Sequence, residues 1–115
     1  MSDPEILKTA RANLQWTVDA WESAGGRVDL TATTLTFRPH LFNASLREPV
    51  VIDLRAIISV TPVRQRVLGS IPSPIQNALL IRGADDSFAH VLIVWKRDSW
   101  IAAIDTARDA LALGA

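Results

Sequence analysis

Residues 25–40 read Gly-Gly-Arg-Val-Asp-Leu-Thr-Ala-Thr-Thr-Leu-Thr-Phe-Arg-Pro-His, and this stretch decides the fold. Val28 and Leu30, then Leu35 and Phe37, alternate with polar residues, the period-two pattern of a half-buried antiparallel hairpin. Gly25 and Gly26 are expected to supply the positive φ angles of a tight entry turn. Pro39 cannot donate to a ladder and so marks a strand end or edge.

Upstream of the hairpin two periods compete. Asp3, Pro4 and Glu5 resemble a helix start, and Leu7, Ala10, Leu14, Val18 and Trp21 follow a helical spacing. Residues 10–20, however, alternate apolar and polar without a break, from Ala10 and Arg11 through Leu14 and Gln15 to Asp19 and Ala20. The unbroken alternation favours a strand over about residues 9–18, preceded by a short helical turn.

Downstream, residues 41–49 form a connection with Asn43 and Pro49 as turn residues. A fourth strand follows, with Val50, Ile52 and Leu54 on one face. After a bend near Arg55, Ile58, Val60 and Pro62 repeat the inward pattern in a fifth strand ending near Val63. Residues 64–76 hold Gly69, Pro72 and Pro74, which forbid a continuous helix or central strand, so they are expected to form an apolar loop. Residues 78–82 and 88–95 form a last hairpin turning through Gly83, Ala84, Asp85 and Asp86. Its second strand, Val91 to Trp95, is apolar on both faces and is expected to be covered on each side.

The chain closes in an amphipathic helix. Asp98 or Ser99 can cap it, and Trp100, Ile104, Ala107 and Leu111 form a single apolar stripe that must dock on the sheet. Arg108 suits the negative end of the helix dipole, and Gly114 supplies a stop.

The 115 residues suffice for one hydrophobic core, so a single domain over 1–115 is expected. Apolar residues make up 49% and charged residues 21%, a globular balance. Formal net charge is zero, which removes the broad positive field that nucleic-acid binding uses; any attraction to anions must be local. No cysteine is present, so disulfides and thiolate metal sites are excluded. The acidic N-terminus and the absence of an apolar run of about 18 residues point to a soluble cytoplasmic protein without a transmembrane segment. Arginine outnumbers lysine ten to two, a hint of a bacterial source.

Seven strands followed by one helix describe an α+β domain in which a curled antiparallel sheet is capped by its C-terminal helix. This is the layout of a pleckstrin-homology-like β-barrel. Gly25 to Thr31 followed by Leu35 to His40 and Asn43 resembles the signature hairpin of the GRAM family, as does Ala12-Asn13 before the glycines. Pro49 to Leu54 leading to Ile58-Ser59-Val60, and Val94 to Ile101, resemble the family's next strand pair and its passage into the terminal helix. Together these pieces span most of residues 10–112; the segment between Asn13 and Gly25 is a few residues longer than the family pattern. The resemblance implies a non-catalytic module that binds membrane lipids or protein partners.

No catalytic constellation is visible: there is no nucleophile elbow, no Walker loop and no dinucleotide fingerprint. His40 and His90 lack the spacing of zinc ligands, and no cofactor or metal is expected. A small hydrolase or isomerase would need one of them against a carboxylate. Asp85 and Asp86 fit turn chemistry better than metal binding.

Two groups remain as candidate binding residues. Arg64 and Arg66 stand beside Val67, Leu68, Ile71 and Ile75 in the irregular segment, a pairing of charge with apolar side chains that suits a membrane interface. Folding of those apolar residues back onto the barrel, or burial in a partner or second copy, is the alternative. Arg38 and His40, with Arg27 near them, can fork onto a phosphate; a salt-bridged arginine is the alternative. The expected partner is a lipid headgroup or a protein, including a second copy of the chain, and not a nucleic acid.

Overall fold

The computed structural model describes residues 5–15, 24–40, 48–63, 66–67, 71–72 and 77–114. Seven antiparallel strands form one curled sheet: β1 (Lys8–Gln15), β2 (Ala24–Leu30), β3 (Thr34–Pro39), β4 (Val50–Asp53), β5 (Ile57–Val63), β8 (Ala78–Gly83) and β9 (Ala89–Val94). Their order is β4-β3-β2-β1-β9-β8-β5. A separate two-stranded ribbon pairs β6 (Arg66–Val67) with β7 (Ile71–Pro72), and one helix, α1 (Arg97–Gly114), ends the chain. The edge strands β4 and β5 are consecutive in sequence, joined by a 3-10 turn, Leu54–Ala56, and α1 packs against that turn and β5.

The alternation of Val28, Leu30, Leu35 and Phe37 holds, and all four are buried in the core. The 9–18 strand is present as β1, with 16–18 outside the described residues, as are Asp3 and Pro4. The hairpin turns at Thr31 rather than at a glycine. Thr31 Oγ1 accepts from the amides of Thr33 and Thr34, while the Thr31 amide donates to the Thr34 carbonyl at 2.9 Å. This hydroxyl closure lets the turn form without positive φ.

The reading of Gly25 and Gly26 as the turn that enters the hairpin is corrected. Both lie inside β2, and neither adopts left-handed φ. What Gly26 supplies is room: a Cβ there would stand 2.1 Å from the Arg38 carbonyl oxygen and 2.9 Å from Phe37 Cζ.

A second correction concerns β5. Its ladder with β8 shifts between Ile57 and Ser59, an irregularity that inserts an extra residue and turns the following side chains over. Ile57 and Val60 are buried, while Ile58, expected inside, is 54% exposed and Pro62 is exposed too. The bend before it is the Asp53 carboxylate accepting from the Arg55 amide at 2.9 Å. The 64–76 segment, expected as loop throughout, contains the β6–β7 ribbon.

The core is one cluster between the sheet's inner face and α1, with Trp100 at 2% exposure, Ile104 and Ala107 as the helix contribution and Leu111 partly buried beside them. Burying that indole contributes about 3 kcal/mol. A smaller cluster of Ala78, Val91 and Ile93 lies on the other face of β8 and β9. Covering on both faces thus holds for Val91 to Val94 but stops there: Trp95 is 74% exposed.

The helix begins at Arg97, one residue before the expected caps. Its first turn closes on Lys96, whose carbonyl accepts from the Ser99 and Trp100 amides at 3.0 and 3.3 Å, and whose φ is 59°. Arg97 donates to the Val63 and Ala78 carbonyls at 3.4 Å each, tying α1 to the ends of β5 and β8. Arg108 is not in the last turn. It bonds Asp105 and donates to the Ile57 carbonyl at 2.8 Å, so its role is to hold α1 on β5. The β8–β9 connection turns at Ala84–Asp86 as expected, with Asp85 at φ 54°.

Candidate functional site

The two ladders of β2 place nine outward-facing positions on a regular grid. Asn13 pairs with Gly25, Arg11 with Arg27 and Thr9 with Asp29; on the other side Arg27 pairs with Arg38 and Asp29 with Thr36. His40 donates its amide to the Gly25 carbonyl at 2.9 Å, completing the first row. The rows are Asn13–Gly25–His40, Arg11–Arg27–Arg38 and Thr9–Asp29–Thr36. Adjacent strands are about 4.8 Å apart, so three arginine Cα atoms lie within roughly 10 Å along one row.

Like charges directly opposite each other on a sheet are destabilising. The grid carries three guanidinium groups against one carboxylate. Asp29, on a side chain 10% exposed, accepts from Arg38 at 2.6 Å and from the Thr9 hydroxyl, and Thr9 Oγ1 in turn accepts from Arg27 at 3.1 Å. One acid thus orients two arginines. Arg11 makes no side-chain hydrogen bond or ion pair among the described residues.

Gly25 leaves a notch in the first row. A Cβ there would meet Asn13 Oδ1 at 3.1 Å and the His40 ring at 3.3 Å, so both side chains lean over the bare backbone directly above the arginine row. The notch sets an imidazole beside the guanidinium row, and arginine matches planar or tetrahedral oxyanions with paired donors. On the far side, Ala12 pairs with Val94. Val94 is the last residue of β9, and Trp95, the next residue, is exposed.

Of the residues singled out in the sequence, Arg38, His40 and Arg27 come together here. Arg11 and Asn13 were missed, since only strand register brings them alongside; the exposure of Trp95 was missed because it ends an apolar run. Arg64 and Leu68 lie outside the described residues; Arg66 and Ile71 belong to the ribbon, where Arg66 pairs with Pro72 and Val67 with Ile71. His90 stacks on Phe88, with ring centroids 5.6 Å apart. Among the described residues no group of three His, Asp or Glu side chains could hold a metal ion.

Seven antiparallel strands curled beneath a C-terminal helix define the pleckstrin-homology-like fold. Solved structures bear this out. The chain is similar to the Vps36 N-terminal PH domain, at 15% identity over 95% of this chain and 82% of that one, with a TM-score of 0.67. It is likewise similar to the N-terminal PH domain of human ARAP2, at 16% identity over 94% and 84%, TM-score 0.63. A third similar structure is the DH/PH fragment of PDZRHOGEF in complex with human RhoA, at 11% identity over 93% of this chain and 29% of that one, TM-score 0.65. No family model and no curated protein matches the chain. Identities this low carry the fold.

Proposed function

We propose that this domain is a non-catalytic binding module of the GRAM type that docks on an anionic membrane surface through the outer face of β1, β2 and β3. The observation that supports the reading is the cross-strand row Arg11–Arg27–Arg38, three cations against the single carboxylate of Asp29; exposed Trp95 follows the end of β9, the strand paired with β1. Arginine supplies the attraction to phosphate, and an indole with a polar N–H edge sits well at the headgroup level. Among the described residues no helix is long and apolar enough to cross a bilayer. Arg64, Arg66, Leu68 and Ile71 belong to the proposal as a second contact.

Co-sedimentation with phosphatidylcholine vesicles containing phosphatidylserine tests the reading. Each arginine near such a surface contributes about 1 kcal/mol, so Arg11→Met with Arg27→Met weakens binding roughly 30-fold. Raising the salt to about 1 M, where screening acts within about 3 Å, weakens it further. Trp95→Ala removes an interfacial side chain worth about 1.5 kcal/mol, roughly tenfold in affinity. Arg64→Glu with Arg66→Glu tests the second contact. Vesicle binding indifferent to salt and to the Arg11 and Arg27 substitutions would remove the proposal.

A further inference from the structure

Away from the arginine face, a cleft of about 510 Å³ opens between α1 and the sheet where β1 begins. Leu7, Leu30 and Ala32 form one wall, and Ala103, Ala107 and Ala110 form the other. Alanines line the α1 side of the cleft, and their short side chains leave its space unfilled. Its volume falls in the range of about 300–1,000 Å³ that small-molecule sites occupy.

One feature of the cleft is chemically out of place. Lys8 pairs in register with Leu30, a residue of the buried inner face, so this lysine points to the core side of the sheet. Its ammonium is held 5.3 Å from the centroid of the Trp100 ring, which fixes where the charge sits. Among the described residues Lys8 makes no ion pair and no acidic side chain lines the cleft. The other polar group there is the Thr106 hydroxyl. A half-buried, inward-facing cation with no counter-ion among the described residues, at the side of an apolar cleft, suits a ligand carrying negative charge on an apolar body.

We propose that this cleft binds a medium-chain aliphatic carboxylate, the chain lying between the alanines of α1 and Leu7 and Leu30, the carboxylate meeting Lys8. A second copy of this chain is the weaker occupant. An isologous contact brings the same patch from both subunits, and with no acid in it both Lys8 charges would be buried without partners.

The probes are decanoate and decanol, added as monomers to the full chain and followed by calorimetry and by backbone amide shifts. Decanoate is expected to bind and to shift the amides of residues 102–110. Lys8→Met, which keeps the aliphatic stem, should weaken decanoate at least tenfold and leave decanol unchanged. Ala110→Leu, at an exposed helix position, should weaken both while the melting temperature stays within a few degrees. No decanoate-dependent shift at millimolar ligand overturns the proposal, and so does equal decanoate affinity in wild type and Lys8→Met. A dimer that Thr106→Glu dissociates, together with absent decanoate binding, overturns it in favour of the second copy. None of these outcomes depends on vesicle binding, so they are read independently of the arginine face.

Discussion

Two neighbouring glycines separate room for packing from room for a ligand, and the same substitution tells them apart. At Gly26 a new Cβ would sit 2.1 Å from the Arg38 carbonyl oxygen and 2.9 Å from both the Arg38 carbonyl carbon and Phe37 Cζ. Ordinary contact begins near 3.5 Å, and the obstacle is the backbone of the adjacent strand, which no rotamer change can move. Gly26→Ala must therefore part β2 from β3 at the Gly26–Pro39 end. Overpacking of this kind costs about 1–3 kcal/mol or more, against a gain of about 0.4–1 kcal/mol from a less flexible unfolded chain. The net loss is about 2 kcal/mol. At Gly25 the nearest atoms are the ends of two exposed side chains, Asn13 and His40, at 3.1 and 3.3 Å. They can swing aside, so Gly25→Ala is expected within about 0.5 kcal/mol of wild type. It fills the notch above the arginine row, however, and should weaken vesicle binding. Urea unfolding followed by far-UV circular dichroism measures the first difference. With m near 1–3 kcal/mol/M, Gly26→Ala should lower the midpoint by about 1 M and Gly25→Ala should barely move it. Equal midpoints, or the reverse order, would refute the packing assigned to β2 and β3.

Trp100→Ala empties the centre of the core and should cost about 3–5 kcal/mol in the same urea assay, the largest loss of any substitution named. Arg38→Met strands the buried Asp29 carboxylate and should cost about 1–3 kcal/mol, while Arg11→Met, which breaks no bond among the described residues, should leave thermal unfolding unchanged or slightly raised. Lys96→Gly relieves an L-residue held at φ 59° and should stabilise by roughly 0.5–1 kcal/mol after the greater freedom of the unfolded chain is counted, visible as a rise in melting temperature.

The strands were legible because their side chains alternate, and the helix because Trp100, Ile104 and Ala107 recur on one stripe. Period reports which face a residue takes, provided the ladder has no insertion. At β5 it has one, and Ile57 and Ile58 exchanged places, since two adjacent isoleucines give no signal as to which is inside. Glycine was ambiguous for a related reason: the residue suits both a left-handed turn and a close approach of backbone, and only the neighbouring strand decides. Trp95 read as core because it ends an apolar run, yet it stands one step past the covered part of β9. The arginine row needed register above all. Arg11, Arg27 and Arg38 are sixteen and eleven residues apart in sequence, and no spacing along the chain announces that two ladders set them side by side.

That row also explains what Asp29 does. Three guanidinium groups on neighbouring strands repel, and an exposed arginine free to relieve the repulsion keeps about 2 kcal/mol of side-chain entropy that a ligand must then suppress. Asp29 removes part of both costs at once. It accepts directly from Arg38, and through the Thr9 hydroxyl it fixes the group that accepts from Arg27. Two of the three cations are thereby held in place before any ligand arrives, and the ordering penalty on binding falls accordingly. A second carboxylate on the face would neutralise it and compete for the same donors; none at all would leave the arginines splayed. One acid among three arginines is the composition that keeps the face positive while holding Arg27 and Arg38 in position; on the proposed reading Arg11 is the cation left for an incoming phosphate.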